Sequence, residues 1–169
     1  MSKKAAKKTI AKQIKKSSAK PAKKIVAVSG GFDPVHIGHL RMFEEAKKLG
    51  NYLVVILNND NWLKKKKGYT FMPEHERMEI LSGFRSVDEV VLSSHPENPT
   101  DMSVCADLRA VRPHVFANGG DRVLTNIPEV PVCEEIGAEM VFSIGQGGKV
   151  QSSSWLVDKL AKAKEKQEK

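Results

Sequence analysis

The chain has 169 residues, with 28 Lys or Arg against 20 Asp or Glu and a formal net charge of +8. That length suits one domain able to bury a proper core. Ten lysines and no acid fall in residues 1–24, so Ile25 onward holds 18 basic against 20 acidic residues, which excludes a basic nucleic-acid-binding body.

Residues 1–24 are rich in Lys, Ala and Ser and bury too little apolar surface to order themselves. They read as a solvated, disordered tail, with contact to nucleic acid or another anionic surface as the alternative. Ile10 and Ile14 lie one turn apart, as a transient helix on such a surface would need. The tail has no acid, as in a transit peptide, but it also lacks the arginines such a peptide favours. No apolar stretch approaches the length of a membrane span or a signal-peptide core, which points to the cytoplasm. Cys105 and Cys133 are far apart and match no metal-ligand spacing, so they are expected to be buried free thiols.

From Lys24 the pattern alternates strand and helix. Ile25–Ser29 is β-branched and apolar, a buried strand. A helical face follows from about Gly38 to Leu49, stopped at Gly50. Tyr52–Leu57 is a second buried strand, and the polar, lysine-rich stretch Asn58–Met72 is expected to be a loop. Pro73 opens a helix at a position where its missing N–H costs nothing. Asp88–Leu92, His114–Ala117 and Glu139–Phe142 read as three more strands. Helices are expected over Asp101–Val111 and Ile127–Ile136, the latter interrupted at Pro131. From Ser152 a last helix dissolves into charge after Leu160, so one domain spans 25–160 and residues 161–169 form its charged end. Strands separated by helices make an α/β fold with a parallel sheet flanked by helices on both faces. Ligands bind such sheets beyond the carboxyl ends of the strands.

Gly30–His39, GGFDPVHIGH, falls at one of those ends. Gly30 and Gly31 allow a tight turn and close approach of a ligand. The following helix aims its unpaired N–H groups and positive dipole end at the same place. His36 and His39 add imidazole donors, completing a phosphate site. Asp33 either braces the turn or touches the ligand. His75, His95 and His114 read as surface or structural residues.

Within G-x-F-D-x-x-H-x-G-H, the segment His36-Ile37-Gly38-His39 resembles the nucleotidyltransferases of the HIGH superfamily, cytidylyltransferase-like branch. The resemblance covers nearly all of Ile25–Leu160. Three downstream matches carry it further: Lys64–Lys67 followed by Glu74, Arg77, Met78 and Leu81; Gly119-Gly120-Asp121; and Ser152-Ser153-Ser154. It implies a Rossmann-like fold and transfer of a nucleoside monophosphate to a phosphorylated small molecule, with release of pyrophosphate. It implies catalytic roles for His36 and His39 at the α-phosphate and for lysines of 64–67, Lys66 and Lys67 foremost. Nucleotide contact is implied for Gly30, Gly31, Phe32, Asp33, Gly38, Gly120 and Asp121, and for Ser152–Ser154 on the pyrophosphate. Arg77 orders the site, meets phosphate, or pairs with Glu74 along its helix. Mg²⁺ is expected to arrive with the triphosphate, and no residue is assigned as a metal ligand. Such enzymes often form dimers, so a homodimer belongs to the expected partners.

Cytidylyltransferases of this type carry an arginine in R-T-E-G-I-S-T-T, and Ser143–Gln151 here has none. Heptose-phosphate adenylyltransferases lack it too and share the Gly-Gly-Asp turn, which favours ATP and a sugar phosphate acceptor. A glycerol-3-phosphate or phospho-alcohol cytidylyltransferase is the nearest alternative. An NMN- or phosphopantetheine-type adenylyltransferase agrees with Asp33-Pro34, less well with the lysine stretch and the Gly-Gly-Asp turn. A non-catalytic nucleotide-binding regulator is the alternative from another class. An aminoacyl-tRNA synthetase is excluded by length and by the lack of a K-M-S-K-S segment.

Overall fold

The computed structural model describes residues 22–120, 127–145 and 152–165. Five strands and six helices alternate among them: β1 (Ile25–Gly30), α1 (Ile37–Lys48), β2 (Tyr52–Leu57), α2 (Asp60–Lys67), α3 (Glu74–Ser82), β3 (Glu89–Leu92), α4 (Cys105–Val111), β4 (Val115–Gly119), α5 (Val130–Ile136), β5 (Glu139–Ile144) and α6 (Ser153–Glu165). The expected tail falls almost wholly outside the described residues.

The strands form one parallel sheet in the order β3-β2-β1-β4-β5, the α/β Rossmann-like architecture the sequence implies. Both faces are covered, so strand residues are apolar on both sides. Val26 and Val28 of β1 join Phe43, Leu53 and Val55 on one face, while Ala27 joins Ile56, Leu108, Phe116 and Val132 on the other. The chain runs outward from β1 to β3, then crosses back to β4. The strand order therefore reverses between β1 and β4, and a crevice opens beyond their carboxyl ends.

The stretch Asn58–Met72 is not wholly a loop. Asp60–Lys67 is helical because Asn59 caps it, accepting from the Trp62 N–H at 3.0 Å. Gly68 closes it at φ +83°, donating to the Lys64 carbonyl at 2.9 Å. Lysine is a good helix former, and four lysines at the carboxyl end favour the helix dipole. Two helix starts also move. Asp101 accepts from the Ser103 N–H at 2.8 Å in a turn, so α4 begins only at Cys105. Pro131 lies in the first turn of α5, opening that helix rather than interrupting it. Of the two free cysteines only Cys133 is buried; Cys105 is half-buried. Among the described residues no helix is long and apolar enough to cross a membrane.

Candidate active site

The floor of the crevice is the β1–α1 turn. Its left-handed residue is Phe32, at φ +47°, rather than either glycine. Glycine is needed at 30 and 31 because side chains fill the space beside them. A Cβ on Gly30 would lie 2.9 Å from the Phe32 ring, and one on Gly31 would lie 2.9 Å from Leu63. The Phe32 ring meets His39 edge-on at 4.9 Å, so the turn supports the imidazole from below.

The two histidines form a capping box at the start of α1. His36 Nδ1 accepts from the Gly38 N–H at 3.1 Å, and His39 Nδ1 accepts from the His36 N–H at 3.2 Å. The rings stack with centroids 3.7 Å apart. A neutral imidazole whose Nδ1 accepts must carry its proton on Nε2, so each ring keeps one N–H for a ligand. Burial, then His36, then Lys67 push the His39 pKa down to about 3, and burial also lowers that of His36. Both rings are thus uncharged donors near neutral pH.

Asp33 is fully buried, and its carboxylate accepts from the Phe71 N–H at 2.9 Å and the Met72 N–H at 2.6 Å. Its position is that of a brace. Arg77 is also fully buried. Its guanidinium donates to the carbonyls of Gly31 (2.7 Å), Asn58 (2.8 Å) and Met72 (2.8 Å) and to Asp60 (2.6 Å). It ties the β1 turn, the end of β2 and the start of α2 together beneath the crevice. It does not pair with Glu74, whose carboxylate caps the Asp60 N–H at 2.7 Å.

Above this floor lies an open cleft of about 340 Å³. One wall is α2, which contributes Trp62, Lys66 and Lys67. Lys67 donates to the Asp33 carbonyl at 2.8 Å. Burial lowers its pKa most; Asp33 opposes that shift and Arg77 adds to it. Lys65 points elsewhere, bonding Asn98 at 2.8 Å. The opposite wall is made of Asn118, Gly119 and Gly120 at the end of β4, and Ile144 and Gly145 at the end of β5. Met42 of α1 fills the space behind it: a Cβ on Gly119 would sit 2.8 Å from its sulfur. Ser152–Ser154 complete the rim, with Ser153 Oγ donating to the Pro34 carbonyl at 2.9 Å.

The cleft therefore gathers His36, His39, Lys66, Lys67, Gly30, Gly31, Phe32, Gly38, Gly120 and the three serines. Asp33 and Arg77 lie outside its lining, and Asp121 lies outside the described residues. Trp62, Met42 and Asn118 were not legible as site residues. Trp62 becomes so once α2 is seen to be helical, because spacing i, i+4 places it on one face with Lys66. Among the described residues lining the cleft there is no carboxylate, and no group of three or more His, Cys, Asp or Glu suited to a metal occurs among the described residues. The arrangement suits a polyanion held by neutral donors, two lysines and a helix start.

Residues 27–142 match the Cytidylyltransferase-like family. The chain is 37% identical over 114 residues to the Bifunctional protein HldE of Aliarcobacter butzleri, covering 64% of this chain and 23% of that protein. It is 38% identical over 100 residues to the FAD synthase of Ferroglobus placidus, covering 59% of this chain and 60% of that one. To the ethanolamine-phosphate cytidylyltransferase of Dictyostelium discoideum it is 35% identical over 109 residues, 63% of this chain and 29% of that one. The chain thus spans about a quarter of the HldE proteins and about three fifths of the FAD synthases it matches. The crystal structure of the lipopolysaccharide core biosynthesis protein from Thermoplasma volcanium shares the fold, with TM-score 0.60 and 23% identity over 75% of this chain and all (100%) of that one. From its first strand to its fifth, with the histidine pair at its head, the chain belongs to the Cytidylyltransferase-like family.

Proposed function

We propose that the protein transfers a nucleoside monophosphate from ATP to a sugar phosphate and releases pyrophosphate. The observation that carries this reading is the capping box, which leaves His36 and His39 each with one Nε2–H for a phosphate oxygen at the head of a helix. An acceptor phosphate oxygen attacks the α-phosphorus in line. The new P–O bond forms as the bond to the bridging oxygen breaks, and that electron pair leaves with pyrophosphate. The protein positions the groups and stabilises charge rather than forming a covalent intermediate. The two imidazoles donate to the α-phosphate oxygens as charge gathers there. Lys66 and Lys67 neutralise the phosphates from the α2 wall. Ser152–Ser154, with the first free N–H groups of α6, take the leaving pyrophosphate.

Mg²⁺ fits this scheme as an ion carried by the triphosphate oxygens, since the described residues provide no cage for it. ATP is favoured by the absence of arginine from Ser143–Gln151. The same reading places the enzyme in the cytoplasm, admits a homodimer, and treats the lysine tail as a solvated extension able to meet an anionic surface.

Pyrophosphate release tests the proposal directly. ATP and CTP are each offered with glucose 1-phosphate, a heptose 1-phosphate, glycerol 3-phosphate, phosphocholine, NMN and phosphopantetheine. Release with ATP and a sugar phosphate, abolished in His39→Ala, is the expected result. Release with CTP alone moves the assignment to the cytidylyl reading. Tight triphosphate binding without release from any pair makes the chain a nucleotide-binding regulator.

A further inference from the structure

The α2 wall holds a side chain that phosphate chemistry does not require. Trp62 lines the cleft beside Lys66, yet its single hydrogen-bond donor is turned away, with Nε1–H bonding the Met102 carbonyl at 2.9 Å. That bond fixes the ring at its edge, the helix carrying it is capped where Asn59 Oδ1 accepts from the Trp62 backbone N–H at 3.0 Å, and the ring stands so close to Gly31 that a Cβ there would lie 3.6 Å from its Cζ3. What such a ring offers a ligand is a rigid carbon surface. An indole fixed this way loses little entropy on binding and stacks on flat or apolar faces.

Its place in the fold says which substrate it meets. The α2 wall follows β2, on one side of β1; the glycine wall follows β4, on the other, and the serine rim follows β5 and reaches back to the β1–α1 turn, where Ser153 bonds Pro34. In-line displacement puts the attacking and leaving groups on opposite sides of the α-phosphate. With pyrophosphate on the serine rim, the acceptor lies against α2. The lysines beside the ring disfavour a cationic headgroup, although indole alone would welcome one.

We infer that Trp62 is the acceptor-selecting residue, stacking on the apolar C–H face of a neutral sugar whose phosphate Lys66 and Lys67 hold. This rests on the nucleotidyl-transfer reading, and the test separates the two. The chain has two tryptophans, so Trp155→Phe leaves Trp62 as the sole indole reporter. Glucose 1-phosphate and mannose 1-phosphate are titrated into this variant, with inorganic phosphate and phosphocholine as controls. A saturable change in emission with a hexose phosphate and none with the controls is expected. In turnover, Trp62→Leu raises the acceptor KM by roughly tenfold and leaves the ATP KM within about twofold, while Trp62→Phe keeps most acceptor affinity. Emission indifferent to both hexose phosphates, or an ATP KM rising in step with that of the acceptor, overturns the inference. A saturable emission change without pyrophosphate release from any pair defeats the transfer reading and leaves the sugar contact standing.

Discussion

The floor of the cleft and its α2 wall do related work on opposite principles. The floor is local: the hydrogen bonds that set both histidine rings stay within residues 36–39, and the supporting Phe32 is four residues away. The wall is held from a distance. Asn59 Nδ2 donates to the carbonyls of Ser93 (3.1 Å) and His95 (2.7 Å), Trp62 reaches Met102, and Lys65 reaches Asn98. His95 is buried in this network, its Nδ1 on Ser93 Oγ at 2.8 Å and its Nε2 on the Ser103 carbonyl at 2.9 Å. Arg77 joins the two regions, bonding Gly31 of the floor and Asp60 of the wall with one guanidinium. A site can thus combine a motif set by its own sequence with a surface borrowed from a loop some 35 residues away.

The join is where the molecule breaks most easily. Arg77→Leu strands three backbone carbonyls and the Asp60 carboxylate, and is expected to cost about 3–5 kcal/mol, read by denaturant unfolding. Arg77→Lys recovers only part of that, because an ammonium cannot span the four acceptors in one plane. Breaking the floor alone gives the opposite signature. His39→Ala is expected to lower kcat by about 10²-fold or more while costing only about 1 kcal/mol of stability from the lost capping bond and ring contacts. Breaking the wall alone is milder. Asn59→Ala removes the α2 cap, takes its donor from the Ser93 carbonyl and leaves the His95 carbonyl with Asn61 alone, costing about 2 kcal/mol. Hydrogen exchange should then quicken in residues 60–67 and stay slow in 37–48.

Acid acts on the floor through the histidines themselves. The folded pKa of His39, about 3, lies below its unfolded value of 6.5, so the unfolded chain takes up that proton first as pH falls. Stability from this group is complete above the unfolded pKa and is lost progressively between it and the folded one. His36 acts in the same direction. The expected slope approaches one proton near pH 5, and His39→Asn should flatten it. For the same reason kcat/KM should show no loss from pH 6 to 8 attributable to an imidazolium giving up its charge.

What was legible in the sequence follows the same division. The buried strands were plain because both faces of a parallel sheet are apolar, and His36 and His39 were plain because their bonds lie within their own motif. The α2 helix was hidden, since Asp60–Lys67 buries only Leu63 and has no apolar stripe to betray it. Its stability comes from a cap whose own partners lie in the loop after β3. Trp62 was hidden with it. Arg77 was visible as a motif residue, but whether it met phosphate, Glu74 or backbone depended on which carbonyls the fold brings beneath it.

The chemistry of the cleft turns on the capping box holding His36 and His39 as neutral Nε2–H donors. The most direct measurement is the imidazole ¹⁵N–¹H NMR spectrum of the uniformly labelled protein, followed from pH 8 to pH 4. His39 should show the Nε2–H tautomer throughout, with no protonation step in that range. A His39 that titrates near 6.5, or carries its proton on Nδ1, would contradict the account.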